Sequence, residues 1–368
     1  MQLAISTGGG DAPGLNSVIR AATLSALRRG WEVVGIRDGF DGLMFPERYG
    51  DEGTTGAGCF ELSREFIRGI AHLGGTVLGT TNRGSPAQYP VQDPDGTWRT
   101  EDRVDHVVDL CRGRGIDALI TVGGDGSLAI GHRLQQAGLR VIGVPKTIDN
   151  DLDGTETTFG FDTAVNVATE SIDRLFTTAT SHSRLFVVEV MGRYAGWIAL
   201  HAGLAAGAHG ILIPEIPYDP EPVAAMIRDR ATHGSRYAIV VVAEGAVRRD
   251  GRRSVLGQAV GQAERLGGIG AAVATELEAL TGKEARTVVL GHLLRGGSPS
   301  ALDRVLGLRF GAAAVRAIEA GEDGVMMALR SQDVVAVPLA DAVSRMRTVP
   351  LEGDTVRSAR ELGISFGD

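Results

Sequence analysis

Short apolar runs rich in valine and isoleucine, at residues 3–6, 33–36, 118–122, 141–144, 185–190, 239–243 and 287–290, alternate along the chain with longer segments of helical period. Most of them end in Gly, Asp or Pro. A continuous rather than alternating apolar run marks a strand covered on both faces, and so predicts a parallel sheet with helices on either side. After the first run, Leu15, Val18, Ile19, Ala22 and Ala26 share one face of a helix that is expected to open near Pro13 and stop at Gly30. The cluster Thr7-Gly8-Gly9-Gly10-Asp11-Ala12-Pro13-Gly14 therefore occupies a strand-to-helix turn. The pattern repeats at 118–122, which feeds Gly123-Gly124-Asp125-Gly126-Ser127 and a helical segment reaching Gly138. Parallel sheets bind ligands beyond the carboxyl ends of their strands. Attention therefore falls on the loops at 8–14, 79–86, 123–127, 145–151, 191–194, 244–245 and 292–297. Residues 50–58 read as a surface loop.

Length and composition sharpen this picture. A chain of 368 residues is long for a single core, so two domains sharing one cleft are expected. Glycine, at 52 residues, is about twice its usual level of roughly 7%, which suits many tight turns and close backbone approaches to a ligand. The net charge of -8 disfavours nucleic acid as a partner, and the few aromatic residues offer no stacking platform for it. Cys59 and Cys111 are too few for a disulfide framework and wrongly spaced for zinc. Met1 to Ile5 run into glycines without a basic leader, and no 18-residue apolar stretch occurs, so a cytoplasmic location without membrane contact is expected.

The loops carry the candidate chemistry, and several admit two readings. Loop 8–14 could turn backbone N–H groups and a helix N-terminus toward a phosphate, or could simply be a tight turn; it lacks the Gly-Lys-Ser/Thr of a Walker A motif. Asp125 could hold Mg²⁺ or cap the following helix. The densest signal is Pro145-Lys146-Thr147-Ile148-Asp149-Asn150-Asp151, with two carboxylates, a hydroxyl, an amide and an ammonium directly after a buried strand. Phosphoryl transfer needs positioning, charge neutralisation and a base, and this loop offers all three. Arg184, Arg193, Arg286 and Arg295 flank or follow apolar runs, with His292 close to Arg295, and arginine forks suit phosphate oxygens. The remaining histidines, including His201 and His209, lack metal-ligand spacing.

Five motifs in this order, Gly9 to Asn16, the Gly-Gly-Asp-Gly-Ser loop, 145–151, Met191-Gly192-Arg193-Tyr194 and 292–299, resemble the 6-phosphofructokinases from about Leu3 to Leu306. The resemblance implies two three-layer α/β domains with largely parallel sheets and the active site in the cleft between them. Residues 1–160 with about 300–368 would form the larger, donor-binding domain, and 161–299 the smaller, sugar-phosphate domain. It implies transfer of a phosphoryl group from Mg-ATP to fructose 6-phosphate in glycolysis. Gly10, Arg83, Gly126, Ser127 and Lys146 would contact the donor, and Asp125 and Asp151 the Mg²⁺. Asp149 would be the catalytic base, with Thr147 beside it and Arg193 assisting; these three, with Met191, Gly192 and Glu244, would also touch the sugar. His292 and Arg295 would hold the 6-phosphate. Arg184 and Arg286 would serve the site of a neighbouring subunit, which requires a homo-oligomer, dimer or tetramer.

The chain also departs from the family pattern. The stretch Leu78-Gly79-Thr80-Thr81-Asn82-Arg83 is one residue longer than in the bacterial enzymes, which loosens the assignment of Arg83. Leu24 replaces one effector-site arginine, although Arg20 matches another. Gly126 is the residue of ATP users whereas Lys146 is usual in pyrophosphate users. A pyrophosphate-dependent enzyme and a kinase of a related ketose phosphate are therefore alternatives, and a non-catalytic sugar-phosphate-binding partner subunit is one of another class.

Overall fold

The computed structural model describes residues 1–81, 85–251, 255–257 and 265–368. In chain order the strands are β1 (Gln2–Thr7), β2 (Glu32–Ile36), β3 (Cys59–Glu61), β4 (Tyr89–Gln92), β5 (Trp98–Glu101), β6 (Ala118–Gly123), β7 (Val141–Pro145) and β8 (Leu185–Val190). They continue with β9 (Gly210–Leu212), β10 (Ala238–Ala243), β11 (Val255–Gly257), β12 (Arg265–Leu266), β13 (Ala285–Val289), β14 (Val325–Arg330) and β15 (Asp333–Pro338). The helices are α1 (Leu15–Leu27), α2 (Asp41–Met44), α3 (Val104–Gly113), α4 (Asp125–Gln136), α5 (Phe161–His182) and α6 (Trp197–Ala205). After them come α7 (Pro220–Thr232), α8 (Ile269–Thr281), α9 (Ala301–Glu319), α10 (Leu339–Ala342) and α11 (Asp354–Glu361).

All seven expected strands form, each within about two residues of its expected ends, because continuous apolar runs are what a sheet covered on both faces requires. The first sheet runs β15-β14-β7-β6-β1-β2-β3 and is parallel except at its two outer pairs. Helices α1 and α9 cover one face, and α3, α4 and α10 the other. The second sheet, β13-β8-β10-β9, is parallel throughout, with α5, α6 and α11 on one face and α7 and α8 on the other. Each sheet is thus the middle of a three-layer α/β sandwich.

The C-terminal segment packs differently from the expected grouping of 300–368 with the first sheet. Helix α9 and strands β14 and β15 do join that sheet, but Val349, Val356, Ala359, Ile364 and Phe366 lie in the core beside α6, and Ser365 pairs with Gly210 of β9. Two buried positions on an otherwise polar α11, Val356 and Ala359, find their apolar partner there.

Helices α1 and α9 approach closely. A Cβ on Gly311 would come within 2.5 Å of the Val18 carbonyl oxygen, and one on Gly307 within 3.0 Å of that of Gly14. Only glycine permits this contact. It fixes the start of α1, which follows the glycine loop, against the middle of α9, the helix that follows loop 292–299. Among the described residues no helix is long and apolar enough to cross a membrane.

Candidate active site

Strands β7, β6 and β1 are parallel neighbours, so the three loops leaving their carboxyl ends lie side by side. The Lys146 amide donates to Gly123 O at 3.0 Å, and that of Gly8 to Val122 O at 3.0 Å. A Cβ on Gly8 would stand 2.6 Å from Ser127 Oγ, and one on Gly123 only 2.2 Å from Ser127 Cβ, so the glycines let Ser127 nest between the loops. Asp125 is the first residue of α4 and Gly124 its cap, without a side-chain capping bond; the capping alternative for Asp125 is not what the chain adopts. Gly126 is exposed, with nothing within 4 Å of where its Cβ would be. It borders two adjoining cavities. One, of about 230 Å³, is lined by Gly8, Gly9, Phe40, Thr81, Gly126 and Ser127 among others. The second, of about 320 Å³, lies between Ala87, Gly126, Ile130, Arg133 and Val343.

The loop after β7 holds its charged groups in a tight, largely buried arrangement. Lys146 is buried and donates from Nζ to Gly10 O. Burial, and then the Arg295 charge, lower its pKa to about 8. The Asp149 amide donates to Thr147 Oγ1 at 3.1 Å, while Asp149 Oδ1 is buried and without a hydrogen-bond partner among the described residues. Burial raises the Asp149 pKa to about 6, with Arg295, Lys146 and Arg193 pulling it down and Glu244 pushing it up. Asp151 is pushed further, to about 7, by burial and by the Asp149 and Asp125 carboxylates. Between the two acids Asn150 adopts a left-handed conformation, φ 53°, its side chain fixed by the Thr158 amide at 3.0 Å.

Loops from the second sheet face this group. Gly192 follows β8 at φ 137°, and Gly245 follows β10, where a Cβ would stand 1.9 Å from Arg193 O. Arg193 and Glu244 are thereby brought together, and burial raises the Glu244 pKa against the pull of Arg193. Met191 is buried beside them. Loop 292–297 leaves β13. His292 is exposed, whereas Arg295 crosses to the glycine loop, donating to Asp11 O at 3.3 Å, its Nη1 only 1.5 Å from where a Gly10 Cβ would lie.

These contacts unite residues from 10 to 295 in one cleft between the sheets. A profile of the family described as phosphofructokinase matches residues 2–318. The chain belongs to the phosphofructokinase family. It is 51% identical, over its whole length and 98% of the relative's, to a protein of Chloroflexus aurantiacus named ATP-dependent 6-phosphofructokinase. It is 46% identical, with both chains fully covered, to a Streptomyces coelicolor protein named pyrophosphate–fructose 6-phosphate 1-phosphotransferase. Among solved structures, phosphofructokinase from Saccharomyces cerevisiae matches with a TM-score of 0.77 and 28% identity, covering 98% of this chain and 47% of that one.

Of the residues expected in the phosphofructokinase site, Gly10, Lys146, Thr147, Asp149, Asp151, Arg193, Glu244 and Arg295 meet in the cleft. Arg184 and Arg286 do not. Both pair with Glu284, Arg184 at 2.7 Å, near the amino ends of β8 and β13. At about 3.3 Å per residue that is roughly 20 Å from the loops at the carboxyl ends. Arg83 lies outside the described residues. Thr81 falls in the expected loop 79–86, but Phe40 was not expected in the site. Phe40 was within reach of the sequence, because residues 38–40 follow an expected strand as the other site loops do.

No group of three or more His, Cys, Asp or Glu side chains suited to a metal ion occurs among the described residues. Mg²⁺, however, needs only one or two carboxylates with phosphate oxygens and water. Asp151, whose ionisation is opposed by burial and by Asp149 and Asp125, is a donor that such a cation would relieve. The residues fit the ion.

Proposed function

We propose that this phosphofructokinase transfers the terminal phosphoryl group of Mg-bound ATP to the 1-hydroxyl of fructose 6-phosphate, forming fructose 1,6-bisphosphate in glycolysis. The observation that carries this reading is the buried, unpartnered Asp149 Oδ1 facing the charges of Lys146, Arg193 and Arg295. In it Asp149 takes the hydroxyl proton as the oxygen attacks phosphorus, Thr147 steadies the loop, and Arg193 meets the charge that develops. Gly10, Ser127, Lys146 and Arg83 receive the donor phosphates. Met191, Gly192 and Glu244 line the sugar. His292 and Arg295 take the 6-phosphate, which requires Arg295 to leave Gly10 and so frees room for the donor. Mg²⁺, held by Asp125 and Asp151, would neutralise charge on the donor phosphates. We assign the donor to the first sheet's half of the chain and the sugar phosphate to the second, in a cytoplasmic homo-oligomer.

The relatives at similar identity include both ATP and pyrophosphate enzymes by name, so overall likeness does not choose the donor. Gly126 supports ATP. Its missing side chain leaves open the place where two cavities adjoin, which this reading gives to the α-phosphate and nucleoside that ATP has and pyrophosphate lacks. Lys146, buried against Gly10, can serve either donor. The test compares kcat/KM for ATP and pyrophosphate with fructose 6-phosphate in the parent and in Gly126→Asp. ATP use should dominate in the parent and fall at least about ten-fold in the variant, since a carboxylate there adds bulk and repulsion. A parent that prefers pyrophosphate would overturn the donor assignment.

A further inference from the structure

The residue that ties the two halves of the cleft together lies in neither set of loops. Arg347 follows β15 and α10, and its amide, its carbonyl and one guanidinium nitrogen each make a bond across the cleft. Its amide donates to Asp151 O at 2.8 Å and its Nη1 to Asn150 O at 3.2 Å. Its own carbonyl accepts from Trp197 Nε1 at 3.2 Å, and its guanidinium stacks 4.3 Å from the centre of the Trp197 ring. Trp197 opens α6, directly after the loop that carries Met191, Gly192 and Arg193. Neighbouring bonds run the same way. Arg345 pairs with Asp153, Met346 bridges Leu152, and Glu215 accepts both from Val349 at 2.8 Å and from Gly196 at 3.0 Å.

We propose that Arg347 is a positioning residue that sets the Asp149–Asp151 loop relative to the sugar-side loop. The argument rests on Asn150. Its backbone is left-handed, a conformation that asparagine adopts more readily than most side-chain-bearing residues, and it sets the turn between Asp149 and Asp151. Its side chain is held by Thr158 from the first sheet's half, and its carbonyl by Arg347. With Asp151 O also held, two successive carbonyls are anchored from behind by one residue, whose other face is fixed to α6. The guanidinium is half-buried, and burial depresses its pKa while Asp153 and Glu156 oppose that shift. The bonds that Arg347 donates to this loop go to the backbone carbonyls of Asn150 and Asp151, so the role is geometric. A shift of about 1 Å at a catalytic group can cost about 10²-fold in rate.

The inference rests on the proposed kinase activity, and its test separates the two. Arg347→Met keeps an unbranched apolar stem but removes both the donor to Asn150 O and the guanidinium stacked on Trp197; Arg347→Lys keeps a donor and a cation. With ATP and fructose 6-phosphate, Arg347→Met should lower kcat by roughly 10-fold to 100-fold, leave both KM values within about three-fold, and be partly rescued in Arg347→Lys. Hydrogen exchange gives a readout independent of activity: the peptide covering 147–158 should lose protection in Arg347→Met while β1, β6 and β8 keep theirs. Trp197→Phe, which removes the Nε1 donor together with part of the ring under the guanidinium, should lose part of the same protection, and serves if Arg347→Met does not fold. An inactive parent would sink the kinase reading alone. Unchanged exchange at 147–158, or wild-type kcat in a folded Arg347→Met, would overturn the role of Arg347.

Discussion

Asp149 sits in surroundings that suit the role of base proposed for it. In water it would be ionised and weakly basic; burial raises its pKa to about 6, and the three cations around it keep it from rising further. A value near neutrality keeps the base ionised at working pH while strengthening its hold on a proton. Asp149→Asn preserves shape and removes that capacity. The expected outcome is a loss of about 10²–10⁴-fold in kcat with little change in either KM, because general-base assistance acts in the transition state. Because burial raises the Asp149 pKa, the parent's kcat should also fall as pH drops through the region near 6, as the base becomes protonated. Steady-state kinetics from pH 5 to 8 check both. An Asn variant with unchanged kcat would remove Asp149 from the chemistry.

At the level of elements, a buried acid fastens two helices. Asp303, in the first turn of α9, accepts from the Thr163 amide at 2.8 Å and the Thr163 hydroxyl at 2.5 Å, in the first turn of α5. Ser300 returns the contact, donating to Asp162 at 2.5 Å and accepting its neighbour's amide. Helix α5 follows the Asp149 loop and α9 follows the Arg295 loop. Asp303→Ala strands the Thr163 amide in the interior, and should destabilise by about 3 kcal/mol, whereas Asp303→Asn, which keeps an acceptor, should cost only about 1 kcal/mol. Thermal melts of the three proteins decide it; equal melting temperatures for Ala and parent would show that the bond is dispensable. None of this was legible in the sequence. Continuous apolar runs gave away the seven strands, and loops at strand ends the cleft, because those patterns are local. The hairpin of β14 and β15 carries the same apolar signal in Val334, Val335, Ala336 and Val337, but no loop rich in glycine or carboxylate follows to mark it. Asp303 and Arg347 act through partners more than a hundred residues away, and Glu215 through one such partner besides the nearer Gly196, and nothing in their own neighbourhood along the chain distinguishes them from surface charges.

At the scale of the whole molecule, two of the arginines expected at the sugar phosphate lie away from the cleft. Five cationic or imidazole groups were expected near the sugar phosphate, yet Arg184 and Arg286 sit at the amino ends of β8 and β13, while Arg193, His292 and Arg295 follow the carboxyl ends of the same strands. A parallel strand of five or six residues is stiff and roughly 17–20 Å long, so no rearrangement of side chains joins the two groups within a chain. What holds the distant pair is Glu284, a single carboxylate shared by two guanidiniums, one of them about half exposed. Such a pair keeps net positive charge available to an anion outside the chain. At the other end of the same edge strand Val289 is exposed, and Leu293 just beyond is exposed as well, an arrangement that suits contact with a second copy. If Arg184 and Arg286 reach the 6-phosphate bound by a neighbour, inactive chains of two kinds should repair each other. Arg184→Ala and His292→Ala, each nearly inactive as a homo-oligomer, would on subunit exchange form some sites with Arg184 from one chain and His292 from the other, both intact. Up to about a quarter of the parent's sites would be whole after random mixing into dimers. Recovered activity measured after exchange, verified by mass spectrometry of the mixed oligomers, is the expected result. Complete exchange without recovery would confine both arginines to a structural role at the strand ends, and a fully active monomer would rule out the shared site.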